Sequence, residues 1–278
     1  MTALVHRALA DGATGVLVTG STGEGALLDP EQRVRVAAQA RAALDGYNAP
    51  DAPSHSPRLL AGASGLTPAA LHEDVARLAG AGADLVLVLA PHTYPLTPRE
   101  LTDLHLEVAE RADVPTLCYH IPQLTGSALT PDAVTELAGH PRIVGMKDSS
   151  PDTERRAAFV AATADREGFD VCTGHAPSLL AALSAGVPAS ITAIANLRQH
   201  QVTGLHAAVA AGDAPRAERL QAALTRLSAA IGEVTGSVPA TLKAVLQLDG
   251  VIAERWCRSP LASVPPDRLD QVRTALLR

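Results

Sequence analysis

The sequence predicts an α/β chain folded as a TIM-type (β/α)8 barrel with a C-terminal helical extension, the first of its eight strands not visible. Three observations predict it. Seven short runs rich in Val, Leu and Ile recur along the chain without the polar alternation of a half-exposed strand, as strands of a parallel sheet covered on both faces do. Amphipathic stretches lie between them, several opening on a helix-cap signal. Past the first pair, the strands start roughly every 20–30 residues, one βα unit each, and such units in series favour a barrel over an open doubly wound sheet.

The chain opens on ALVHRALADG (3–12), which reads as a helix before the first visible strand, GVLVTG (15–20). RLLAGA (58–63), DLVLVLA (84–90), VPTLCYH (114–120), RIVGMK (142–147), FDVCTG (169–174) and PASITAI (188–194) follow. DPEQRVRVAAQARAAL (29–44) begins Asp-Pro, an N-cap with proline at the first helical position, and the stretches from 67, 97 and 130 repeat that opening as Thr-Pro. GYNAPDAPSHSP (46–57) reads as a surface loop. With seven strands visible, either the start lies too far downstream or the barrel is incomplete. Helical patterns at 197–211, 213–232, 238–249 and 266–277 follow the last strand, and only the first is needed to close a barrel. The division expected is therefore a barrel unit, 1–212, and a helical extension, 213–278.

With 47% hydrophobic residues the 278-residue chain can bury a sizeable core, and a net charge of −6 with no basic, aromatic-interleaved patch argues against nucleic acid. Apolar runs such as Leu85 to Ala90 fall short of the ~20 residues that span a bilayer. No basic start with an apolar core marks a signal peptide, and the expected location is the cytoplasm. Cys118 and Cys172 sit in predicted strands and read as buried thiols.

In a (β/α)8 barrel the active site lies at the C-terminal strand ends. Here those ends carry GSTGE, Ser64, His92, Tyr94, Tyr119, His120, Lys147, His175 and Ile191, whereas the strand bodies are apolar. Lysine occurs only twice in the chain, at Lys147 and Lys243, against 21 arginines. A strand-end lysine is usually a snorkelling or paired cation, but arginine could serve that purpose equally well. Only a primary amine forms a Schiff base with a carbonyl. GSTGEG (20–25) offers glycines, the Ser21 and Thr22 hydroxyls and backbone N–H groups. Such a turn suits a carboxylate or phosphate, although a plain turn reads almost identically. Tyr119, one βα unit before Lys147, could be an ordinary core tyrosine or a proton relay.

GSTGE, YHIPQLTG (119–126) and GMKDSS (145–150), in this order and spacing, resemble the dihydrodipicolinate synthase / N-acetylneuraminate lyase family of class I, Schiff-base aldolases. LKAVLQLDG (242–250) and RSPLASVPP (258–266) are similar too, so the likeness covers nearly the whole chain. The resemblance implies a (β/α)8 barrel with a C-terminal helical region, a homodimer or homotetramer, and no metal or organic cofactor. It implies that Lys147 forms an imine with pyruvate or another 2-oxo acid, that Tyr119 shuttles protons, that Ser21 and Thr22 hold the carboxylate, and that Ile191 lines the pyruvate pocket.

The departures lie in the aldehyde half. Leu124 stands where the members making dihydrodipicolinate carry an arginine, and Thr93 where they carry a tyrosine given across a dimer interface, Tyr94 being one residue off. The acidic residues of sialic acid lyases fall on Ala176 and Pro177, and His120 replaces a frequent asparagine. The expected function is therefore a lyase that cleaves or condenses a 2-oxo acid and an aldehyde, like the 2-keto-3-deoxy sugar acid aldolases. The alternatives are a 4-hydroxy-tetrahydrodipicolinate synthase and a non-catalytic barrel that binds 2-oxo acids. A metal-dependent hydrolase using His92, His120 and His175 is a remoter rival, since no pair among them has tight ligand spacing.

Overall fold

The computed structural model describes residues 1–47 and 56–276, so most of the proline-rich stretch 46–57 lies outside the described residues. The elements run in order α1 (Thr2–Ala10), β1 (Gly15–Val18), α2 (Pro30–Asp45), β2 (Arg58–Ser64), α3 (Pro68–Gly80), β3 (Leu85–Leu89), α4 (Pro98–Arg111) and β4 (Thr116–His120). Next come α5 (Pro122–Thr125), α6 (Pro131–Leu137), β5 (Ile143–Asp148), α7 (Thr153–Ala162), β6 (Asp170–Thr173), α8 (Leu179–Ser184) and β7 (Ala189–Ser190). The chain ends in α9 (Ala195–Ala210), α10 (Ala214–Thr235), α11 (Val238–Leu248) and α12 (Leu269–Leu276).

All six strand pairings are parallel, in the order β1-β2-β3-β4-β5-β6-β7, with β1 and β7 at the two edges. The caps form as the Asp-Pro and Thr-Pro signals require. Asp29, Thr67, Thr97 and Thr130 each accept the N3 backbone N–H of α2, α3, α4 and α6, and a proline follows each cap. One predicted feature differs. β7 is a two-residue strand rather than 188–194, because the chain turns at Thr192 toward α9. The helices α7 and α8 were not marked by the apolar pattern. α7 does carry a cap signal, since Asp152 accepts the N–H of Arg155.

Two apolar layers build the body. On the outer side, Leu59, Val86, Val88, Cys118 and Met146 pack against α2, α3 and α4. On the inner side, Leu87, Leu117, Tyr119 and Ile121 form a separate cluster, flanked by half-buried Leu17, Leu60, Leu85 and Val144. A third cluster joins α8 and α9 to α10, α11 and α12 through Leu197, Leu205, Leu224, Val245 and Val272. The C-terminal helices thus share a core with the last βα unit.

Candidate active site

A β-bulge decides which side chains face each other. Thr116 pairs with Ile143, but Leu117 pairs with Gly145, so one residue of β5 is passed over. The shift sets Tyr119 opposite Lys147; an unbroken ladder would set it opposite Met146. Because side chains alternate faces, a slip of one would turn the lysine away from the tyrosine. Gly145 permits the bulge, since a Cβ there would lie 2.3 Å from the Asp170 carbonyl oxygen.

Lys147 and Tyr119 are both buried, and the lysine Nζ lies 4.5 Å from the centre of the phenol ring. Among the described residues no hydrogen bond or salt bridge holds Nζ. The space around its aliphatic arm is kept by Gly174 at the end of β6. A Cβ there would stand 2.9 Å from the Lys147 Cε and 2.0 Å from the Ser149 Oγ. Cys172, the Cα partner of Lys147 on β6, is buried, and burial pushes its thiol up to about 12 although Lys147 pulls the other way. It is a neutral wall, not a rival nucleophile.

The GSTGEG turn reaches the same point from β1. The Ser21 Oγ lies 3.3 Å from the Tyr119 Oη, and Ser21 and Thr22 are half-buried. A cleft lined by Gly20, Ser21, Ser64, Leu87 and Leu89 ends on Tyr119. The turn is sharply bent. Thr19 and Glu24 adopt left-handed backbone angles, φ 53° and 58°, which non-glycine residues rarely take. Thr19 is held there through its hydroxyl, which lies 2.9 Å from the Gly62 carbonyl and accepts the Gly62 N–H. Buried Arg33 fixes the base of the turn. It donates to the Leu28 carbonyl at 2.5 Å and forms a forked pair with Asp74 at 2.9–3.0 Å. Asp74 in turn accepts the Ser64 N–H at the end of β2.

Lys147, Tyr119 and Ser21 therefore come together, with Thr22 next to Ser21. Ile191 follows β7 and joins the ring by donating its N–H to the Thr173 carbonyl at 2.8 Å. The three histidines of the metal alternative are dispersed. His92 is exposed, His120 is bound to Asp148 and His175 to Ser178. Among the described residues no group of three or more His, Cys, Asp or Glu comes together that could hold a metal ion. Leu124, on the short helix α5 after β4, is 57% exposed, and Tyr94, on the loop after β3, is 76% exposed. Among the described residues no helix is long and apolar enough to cross a membrane.

Residues 1–278 match the family model described as the Dihydrodipicolinate synthetase family. The chain belongs to the dihydrodipicolinate synthetase family. It is an enzyme of that family, of the class I aldolase/lyase type. A 4-hydroxy-tetrahydrodipicolinate synthase of Methanoculleus marisnigri is 32% identical over 278 residues, covering 99% of this chain and 88% of that protein. The probable 2-dehydro-3-deoxy-D-pentonate aldolase YjhH of Escherichia coli is 30% identical over 268 residues, covering 95% of this chain and 85% of that one. In fold, the chain superposes with a TM-score of 0.89 on YagE, a prophage protein of the dihydrodipicolinic acid synthase family from E. coli K12 in complex with pyruvate. That pair is 24% identical, with 98% of this chain and 89% of the other covered.

Sequence reasoning missed the polar network behind the lysine. Asp148, next to Lys147 but on the outer face of β5, is fully buried. It accepts from Arg156 Nε at 2.7 Å, from His120 Nδ1 at 2.8 Å and from the Ser150 N–H at 3.0 Å. Arg156 goes on to the Ser178 Oγ at 3.0 Å, which contacts His175 Nδ1 at 2.8 Å. Burial works against ionising Asp148. His120, Arg156 and Ser150 outweigh it, so its carboxyl stays below the usual carboxylate range. An acid directly after a strand-end lysine was the available signal, but it reads equally as that lysine's own partner.

One element of this region makes the fold acid-sensitive. His105 on α4 is buried, and burial, reinforced by nearby His120, pushes its imidazole from 6.5 down to about 4. The unfolded chain then binds the proton first. Stability is full above about pH 6.5 and falls toward pH 4, by up to ~3 kcal/mol. We expect His105→Leu to flatten this acid limb. Urea midpoints at pH 7 and pH 5 check it: an equal drop in variant and parent would acquit His105.

Proposed function

We propose that the chain is a Schiff-base aldolase that joins or cleaves a 2-oxo acid, pyruvate in the first instance, and an aldehyde, like the 2-keto-3-deoxy sugar acid aldolases. The observation that carries this is the juxtaposition of Lys147 Nζ and the Tyr119 ring, with Ser21 at the phenol. In this reading the neutral amine of Lys147 attacks C2 of the 2-oxo acid, and with one proton taken up from solvent the former ketone oxygen leaves as water, giving a protonated imine. The imine draws electrons from the C3–C4 bond, which breaks to release the aldehyde and leave an enamine, or forms in the reverse sense. Tyr119 takes the proton from the C4 hydroxyl on cleavage and returns it on condensation, with Ser21 as its neighbour. Ser21 and Thr22 hold the carboxylate and Ile191 lines the 2-oxo acid side, which fixes C2 near Nζ.

Exposed Leu124 and Thr93 favour an aldehyde without a carboxylate, because the rim offers apolar surface where an acid would call for a guanidinium. 4-Hydroxy-tetrahydrodipicolinate synthase remains the second reading, supported by the name of the Methanoculleus relative. We assign the chemistry to the barrel unit, 1–212, and the bracing of its mouth to residues 213–278, in a homodimer or homotetramer. We also infer that the edges of β1 and β7 flank the place of an eighth strand, since Leu17, Leu60, Leu85 and Val144 are only half-buried on the inner face. A chain extended upstream that gains activity over this one would support that inference; equal activity would sink it.

Borohydride reduction in the presence of pyruvate is expected to leave a covalent adduct on Lys147, located by peptide mass spectrometry. An adduct on Lys243, or none, overturns the reading. A panel of aldehydes with and without a carboxylate then separates the two functions.

A further inference from the structure

The second lysine of the chain has its own place at the site. Glu24, the last residue of GSTGE, is 4% exposed, and its carboxylate takes one hydrogen bond and one ion pair from the C-terminal region. The Arg258 N–H donates to Oε2 at 2.5 Å, and Lys243 on α11 sits against Oε1. Lys243 also donates to the Trp256 carbonyl at 2.7 Å, so α11, the 256–258 segment and the turn meet at one carboxylate. Arg258 lies 234 positions from Glu24 in sequence.

The turn has little freedom to absorb a change at that carboxylate. The Glu24 N–H donates to the Ser21 carbonyl and the Gly25 N–H to the Gly20 carbonyl, both at 3.1 Å, so Glu24 and Ser21 move together. A Cβ on Gly25 would fall 1.7 Å from the Thr19 carbonyl oxygen, so the backbone there is already in contact. The left-handed backbone at Glu24 is a conformation that persists only where its surroundings impose it. The C-terminal region supplies that imposition with an ion pair, and a buried carboxylate deprived of its cation would have to move toward water.

We infer that Glu24 and Lys243 are positioning residues for the carboxylate of the 2-oxo acid: the C-terminal region sets Ser21 and Thr22 through this pair before substrate arrives. The inference rests on the reading that Ser21 and Thr22 hold that carboxylate. It also gives a place to the chain's only lysine besides Lys147, which meets a carboxylate and a carbonyl at once.

The test is the concentration of pyruvate that gives half-maximal trapping on Lys147, measured beside that of methyl pyruvate, which has the same ketone but no carboxylate charge. Lys243→Met should raise the value for pyruvate about tenfold and leave that for methyl pyruvate unchanged, as misplacement of a binding group does. Lys243→Arg should recover most of the loss. Glu24→Gln, which keeps the shape of the side chain, should act in the same direction and carries the comparison if Lys243→Met does not fold. An unchanged value for pyruvate, or an equal rise for both compounds, overturns the inference while leaving Lys147 in its role. Absence of any adduct in the unsubstituted protein overturns the underlying reading, and this inference with it.

Discussion

Replacing Lys147 by arginine is expected to abolish imine trapping and to lower aldol cleavage by on the order of 10⁶-fold, the scale seen when a covalent nucleophile is removed. Arginine keeps the charge and nearly the length, but its guanidinium cannot condense with a ketone. The fold should survive, because the groups that order the end of β5 are Asp148 and its partners. Among the described residues Nζ has no hydrogen bond or salt bridge, and it lies over the face of Tyr119 at 4.5 Å. Tyr119→Phe separates the two roles. The ring that packs against Lys147 remains, so the adduct should still form, while turnover falls by about 10²–10³-fold for loss of the proton carrier. Rapid-quench trapping with a cleavage assay checks both variants. Turnover retained by Lys147→Arg would exclude a covalent imine at this position.

Removing Arg156 is the largest stability effect expected. Asp148 and Arg156 are 0% and 1% exposed, and Arg156→Leu leaves a buried carboxylate without its cation. Such a break costs about 3–5 kcal/mol. Arg156→Leu combined with Asp148→Leu should be less damaging than Arg156→Leu alone, because the stranded charge goes with its partner. Chemical denaturation of the four proteins of this cycle decides it: additive losses would mean that the pair is not coupled. Because Asp148 directly follows Lys147 on β5, the single variant should also lose trapping rate before it loses its fold.

The strands, the capped helices and the strand-end position of Lys147, Tyr119 and Ser21 were legible because they depend on local periodicity, on cap chemistry and on the fixed polarity of a βα unit. The bulge that pairs Tyr119 with Lys147 was not legible. It depends on how Gly145 approaches Asp170, a contact between strands. Buried Arg33 and Arg156 were not legible either, because nothing local distinguishes an arginine facing solvent from one facing Asp74 or Asp148. Lys243 shows the same limit. Its rarity was visible, whereas its partner lies in another part of the chain.

The sequence by itself determined the parallel α/β class, the order of the units, and which residue types could reach a common mouth, since hydrophobic period and residue chemistry are local properties. The tertiary structure alone decided the register between β4 and β5, the fixed bend of the GSTGE turn and the charge network behind the lysine. Those depend on contacts between segments far apart in sequence, where a displacement of one residue, or a single buried charge, reverses which groups meet.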